Sequence, residues 1–135
     1  MAAKVLDSWA LLAFYKDEPC AAEVEKLIQQ AAEKGKPLLL SVINWSEIHY
    51  SLERAGGKAV AERVAEQIAE LPIQVLGVSD DLKTARTAAS FKAAHKMSLA
   101  DAFAAALAKE KKAELVTGDP EFKALEGQIK IHWLK

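Results

Sequence analysis

The 135-residue sequence has a single cysteine, Cys20. An internal disulfide is therefore excluded, and the histidine-bearing stretches have no cysteine partner for a structural zinc site, a usage that suits a reducing cytoplasm. Long apolar runs are also missing. The most apolar segment, SLADAFAAALA, falls well short of the about 20 residues needed to cross a bilayer. The N-terminal MAAKVLDSWALLAFYKDEP is broken by Asp7 and Lys16 and does not read as a signal peptide. There is no excess of charge of one sign: 18 Lys and Arg face 19 Asp and Glu, a net charge of −1. A nucleic-acid partner would thus have to be held by a local basic patch, not by the field of the whole molecule. No repeat and no low-complexity linker divides the chain. Residues 1–135 read as one domain, long enough to bury roughly 65–70% of the surface exposed when unfolded.

What is present is an alternation of short apolar runs with longer segments of helical period. Residues 4–6 read as a buried strand, and residues 8–15 carry Trp9, Leu12 and Ala13 at helical spacing. Pro19 separates this helix from residues 21–33, whose stripe is Val24, Leu27, Ile28 and Ala31 and whose stop signals are Gly35 and Pro37. A strand over 38–40 leads into a helical hairpin, residues 42–55 and 58–70, closed by Gly56-Gly57. After Pro72 and a strand over 74–76, Ser79 is expected to open a helix running to about residue 94 with Leu82, Ala85, Ala89 and Ala93 inward. Ser98 is a natural N-cap for the next helix. Its stripe is Leu99, Ala102, Phe103, Ala106 and Leu107, and Ala104, Ala105 and Ala108 on the other face imply packing on both sides. A strand over 114–116, a Thr117-Gly118 turn, a short helix over 120–125 and a strand over 129–133 complete the chain. Such alternation predicts an α/β sandwich around a mostly parallel sheet.

Four acidic residues, Asp7, Glu47, Asp101 and Asp119, each stand where a strand ends or a helix begins. Taken singly, each has a structural explanation. Asp7 and Asp119 could cap helices, and Ser98 with Asp101, or Asn44 with Glu47, has the spacing of a capping box. In a parallel sheet, however, helix N-termini that follow strands gather at the carboxyl edge where ligands bind. Capping and clustering are then one geometry. Carboxylates brought together without interleaved cations repel one another, and a hard divalent ion with a preference for oxygen relieves that repulsion.

The stretches VLDSWALLAFYKDEP, SVINWSEIHYSLERAG, MSLADAFAAALA and ELVTGDPEF resemble the four acidic motifs of the PIN-domain ribonucleases, especially the VapC-type toxins of prokaryotic toxin–antitoxin pairs. They occur in the family's order and span nearly the whole chain. The resemblance implies a three-layer α/β/α sandwich around a five-stranded, mostly parallel sheet. It also implies hydrolysis of RNA phosphodiester bonds with Mg²⁺ or Mn²⁺. Asp7, Glu47, Asp101 and Asp119 match the family's catalytic metal ligands, and Ser8 and Thr117 match polar positions that support them. The implied partners are an RNA substrate, a small antitoxin protein that occludes the crevice, and a second copy of the chain.

Other residues carry weaker expectations. Lys92 and Lys96, with His95, could form a basic rim for the RNA backbone, although cations near a helix C-terminus also answer its dipole. Trp9 and Trp45 lie beside acidic motif residues and could stack on a base, but their stripes favour the core. His49 and His132 are poor metal candidates. Two other functions compete: a PIN-like RNA-processing nuclease that is not a toxin, and a receiver-like phosphoacceptor switch with a similar five-stranded parallel sheet. Against the switch, Asp7 is followed by Ser8 and Trp9 instead of a second acid, and Asp80-Asp81 are expected to begin a helix.

Overall fold

Alternate residues of a strand face opposite sides of a sheet, so burial along the strands decides which helices lie on which face. The computed structural model describes residues 3–135. Its strands are β1 (Lys4–Leu6), β2 (Leu38–Ser41), β3 (Ile73–Leu76), β4 (Glu114–Thr117) and β5 (Lys130–Trp133). All pair in parallel, in the order β3-β2-β1-β4-β5. Leu6, Leu38, Leu40 and Val116 pack on one side against α1 (Ser8–Tyr15), α2 (Ala21–Lys34), α3 (Val42–Gly56) and α4 (Lys58–Glu70). Val5, Leu39 and Leu115 pack on the other side with α5 (Lys83–Ala94), α6 (Leu99–Lys111) and a 3₁₀ turn at Pro120–Leu125. The result is the three-layer α/β/α sandwich expected, with apolar residues of the central strands β1, β2 and β4 packed on both faces, as parallel strands covered on both sides require.

The chain winds outward from β1 to β2 and β3, then returns past β1 to add β4 and β5. Parallel crossovers are nearly always right-handed, so reversing the direction of winding puts the later connections on the opposite face. The reversal opens a crevice at the carboxyl ends of β1 and β4, the usual ligand position in such sheets. This order also differs from the 2-1-3-4-5 order of receiver-like sheets, which removes the phosphoacceptor alternative.

Most helix boundaries fall within a residue or two of the sequence reading. Gly57, at φ 93°, makes the turn between α3 and α4 that a side chain would strain. The segment after β3 differs. Ser79 does not open a helix, and neither do Asp80 and Asp81; α5 starts at Lys83. The Asp81 carboxylate accepts from the Ser79 hydroxyl at 2.7 Å and from the Lys83 amide at 3.0 Å, holding a local side-chain turn in place of the expected helical turn. Leu82 takes a left-handed conformation (φ 66°) and is exposed. The inward stripe of α5 is accordingly Thr84, Ala88 and Phe91, while Ala89 and Ala93 face solvent. Leu99 is likewise exposed, but α6 buries Ala102, Ala104, Ala105, Ala106 and Ala108, as its apolar character on both sides predicts. Asn44 does not cap α3. Ser41 does, accepting from the Ile43 amide, and Asn44 is fully buried inside the helix.

Candidate active site

Asp7 leaves β1 at the crevice and caps α1, its Oδ1 accepting from the Ala10 amide at 2.8 Å. The other oxygen, Oδ2, accepts from the Thr117 hydroxyl at 2.5 Å, and Thr117 in turn accepts from the Asp119 amide at 3.0 Å. A hydrogen-bonded relay therefore ties the end of β1 to the end of β4 through groups 110 residues apart. Both Asp7 and Thr117 are completely buried. Burial pushes the Asp7 carboxyl up to about 7; the Thr117 and Ala10 hydrogen bonds oppose this, and the charges of Asp101 and Asp119 add to it.

Asp101 lies in the first turn of α6, where the Ser98 hydroxyl accepts from its amide at 3.1 Å. Its carboxyl is raised to about 6, first by desolvation, then by Asp119, with smaller contributions from Glu47 and Glu121 against the Ser98 hydrogen bond. Asp119 follows β4 and caps the 3₁₀ turn, accepting from the Glu121 amide at 2.9 Å. Among the described residues, one group of acids places an oxygen from each member within 4.8 Å of the others: Asp101, Asp119 and Glu121. Asp7 and Glu47 stand outside that group, yet Asp7 feels the charges of Asp101 and Asp119, and Asp101 feels that of Glu47. The neighbouring charges that lift Asp7 and Asp101 are all carboxylates.

Ser8 supports the site indirectly. Its hydroxyl accepts from the Asn44 amide nitrogen at 2.9 Å, and the same nitrogen donates to the Ala100 carbonyl at 3.2 Å. Asn44 thus brackets the starts of α1 and α6 from within α3, fixing the helices that carry Asp7, Asp101 and Glu47. Its side-chain Oδ1 is buried without a partner. The sequence signal for this residue was a polar side chain on an otherwise apolar helix turn, Val42-Ile43-Asn44-Trp45. Glu121 was also missed; its signal was its place two residues after Asp119, across a helix-starting proline.

The basic rim is placed differently for its two lysines. The Lys92 ammonium donates to the Met97 carbonyl at 2.9 Å and closes the α5–α6 connection, whereas Lys96 is exposed. His49 pairs with Glu53 and Glu62, and His132 with Glu23, away from the acidic group. Trp45 packs partly buried against the core. Trp9 does not take the core place its stripe suggested. It is 38% exposed, and its ring covers Gly118, where an added Cβ would come within 2.2 Å of the indole.

A doubly flanked parallel sheet with acids gathered at its winding reversal defines the class to which the sequence motifs pointed. The PIN domain family matches residues 4–128, and the chain belongs to that family. Among solved structures it is similar to VapBC2 from Rickettsia felis bound to a promoter DNA fragment, at 15% identity and a TM-score of 0.75, covering 98% of this chain and 99% of that one. It is similar to a toxin–antitoxin complex from Klebsiella pneumoniae at 19% identity and a TM-score of 0.68, covering 96% of each chain. It is also similar to VapC20 from Mycobacterium tuberculosis, a Sarcin-Ricin loop cleaving toxin, at 20% identity and a TM-score of 0.68, covering 90% of this chain and 94% of that one. No curated protein matches the chain by sequence. Among the described residues, no helix is long and apolar enough to cross a membrane.

Proposed function

We propose that this protein is a divalent-metal-dependent endoribonuclease and the toxin of a type II toxin–antitoxin pair. The observation that carries the reading is the gathering of Asp101, Asp119 and Glu121, with Asp7 and Glu47 in electrostatic reach, at the carboxyl edge between β1 and β4. The donor set fits a hard cation: it consists of oxygens, its members repel one another, and the Asp7 and Asp101 carboxyls are raised, first by burial and then by neighbouring carboxylates. Asp101, Asp119 and Glu121 would hold Mg²⁺ or Mn²⁺, with Asp7 and Glu47 completing the site directly or through water. A bound ion supplies Lewis-acid stabilisation of the charge that develops on a phosphate.

The chain's own residues do the positioning. Thr117 and Ala10 aim both Asp7 oxygens, Ser98 orients the first turn of α6 behind Asp101, and Asn44 with Ser8 holds the bracket beneath them. Single-stranded RNA is the substrate class of the reading, since exposed bases and a reachable phosphate are what a crevice of this kind can engage. Several similar structures are toxins or toxin–antitoxin complexes, which supports a small antitoxin as the partner of this chain in the cytoplasm.

Induced expression of the wild-type chain should arrest growth and generate new 5′ ends in cellular RNA. Asp101→Asn should abolish both, lowering cleavage in vitro by at least about 100-fold, the scale of losing one transition-state charge contact. Cleavage confined to a precursor RNA without growth arrest would favour the processing nuclease. A folded Asp101→Asn protein that cleaves at the wild-type rate would remove the site assignment.

A further inference from the structure

We propose that Trp9 forms a nucleobase-stacking subsite beside the acidic edge, receiving one unpaired base of a single-stranded RNA whose phosphate lies at the carboxylates; this rests on the nuclease reading above. Trp9 follows Asp7 by two residues, and its ring is seated on Gly118, the residue before Asp119. The indole therefore stands at the border of the acidic group, tied to it by both chain segments that end there. Only glycine at position 118 permits this seat, since a Cβ would meet three ring atoms at 2.2, 2.3 and 2.9 Å.

The ring also lines a cavity of about 570 Å³ together with Leu12, Ala13, Lys16, Glu18 and Lys135. That volume falls within the roughly 300–1,000 Å³ of ordinary small-molecule sites. An apolar floor under an exposed aromatic suits the flat face of a base, and stacking of this kind is worth enough per base to be measured by alanine substitution. Lys16 and Lys135 bring cations to the lining beside Glu18, whereas the acidic group has only carboxylates. A strand crossing Trp9 would present one phosphate to the carboxylates and the next to cations. An apolar protein segment would also fit the floor, but the seat of the ring on Gly118, the residue before Asp119, favours a base, because a base stacked there has its own phosphate at the border of the acids.

The first measurement uses the full chain in a Trp45→Phe, Trp133→Phe background, where Trp9 is the remaining tryptophan. Hexauridylate added in EDTA should quench its emission saturably. With Mg²⁺, Trp9→Ala should raise KM for a short unstructured RNA about tenfold with kcat little changed, and should alter the base preference next to the cut. Trp9→Phe should restore KM, and Gly118→Ala, which displaces the ring without removing it, should behave like Trp9→Ala. If Trp9→Ala does not fold, Gly118→Ala and the quenching measurement decide. Absence of quenching, or unchanged KM and base preference in Trp9→Ala and Gly118→Ala, would overturn the subsite. So would a Trp9→Ala protein that handles RNA normally but no longer binds its protein partner, which would assign the groove to that partner. Failure of the wild type to cleave any RNA would instead count against the nuclease reading, and the quenching measurement would still test the subsite.

Discussion

A carboxyl group with no exposed surface is held protonated unless something nearby compensates its charge, and Asp7 is such a group. Its folded pKa of about 7 lies above the unfolded value near 3.8. Below about pH 4 both states are protonated and the group contributes no difference. As pH rises, the unfolded chain releases its proton first, so stability falls until the folded carboxyl also ionises near pH 7. At 1.36 kcal/mol per unit, the loss is as much as about 4 kcal/mol for Asp7 alone. Metal-free Asp7→Asn should therefore be more stable than wild type at pH 8 and lose that advantage near pH 4, as read by urea unfolding across the range. A stability difference that is flat with pH would contradict the assignment. The position of Asp7 was readable because a lone acid ended an apolar run. Asn44 and Glu121 were harder to read, since a lone polar residue on an apolar turn also fits an ordinary cap, and an acid just past a helix-starting proline also fits a surface charge.

Among elements, α6 shows how composition sets position. Five of its alanines are at most 1% exposed because the helix lies against the sheet and between neighbouring helices, where larger side chains would hold it away. Close packing carries Asp101 to the crevice. Ala105→Leu should destabilise the fold by about 1–3 kcal/mol, the usual cost of overpacking, and should impair cleavage through the displaced first turn. A chemical denaturation midpoint equal to wild type would show that the helix has slack. The helix was legible because its apolar residues exceed one face. By contrast, α5 was misphased: Ser79 and Asp81 look like helix starters, but their side chains satisfy each other and the Lys83 amide, and Leu82 turns out to solvent. Periodicity counted from the wrong first residue then selects Ala89 and Ala93 over Ala88 and Phe91.

For the whole molecule, strand alternation and four spaced motifs were sufficient to anticipate the sandwich, whereas the order of strands and the precise membership of the acidic group depend on long-range pairing. That group also predicts linkage between ion binding and stability. A cation that binds only the folded chain at 100 times its dissociation constant stabilises it by about 2.7 kcal/mol. Mn²⁺ should accordingly raise the melting temperature at pH 7.5, and Asp119→Asn should reduce the rise; equal shifts in both proteins would place the ion elsewhere.

The hydrogen bond between Thr117 and Asp7 has a consequence for when activity can begin. Its partners are 110 residues apart, so the loop between them must be closed before β4 can settle beside β1. A growing chain that has already made β1, β2 and β3 still lacks Asp101, Asp119 and Glu121 in their final places. The acidic edge therefore assembles only after β4 has been made and paired, and a growing chain that has not yet reached Glu121 lacks the group on which the proposed reaction depends.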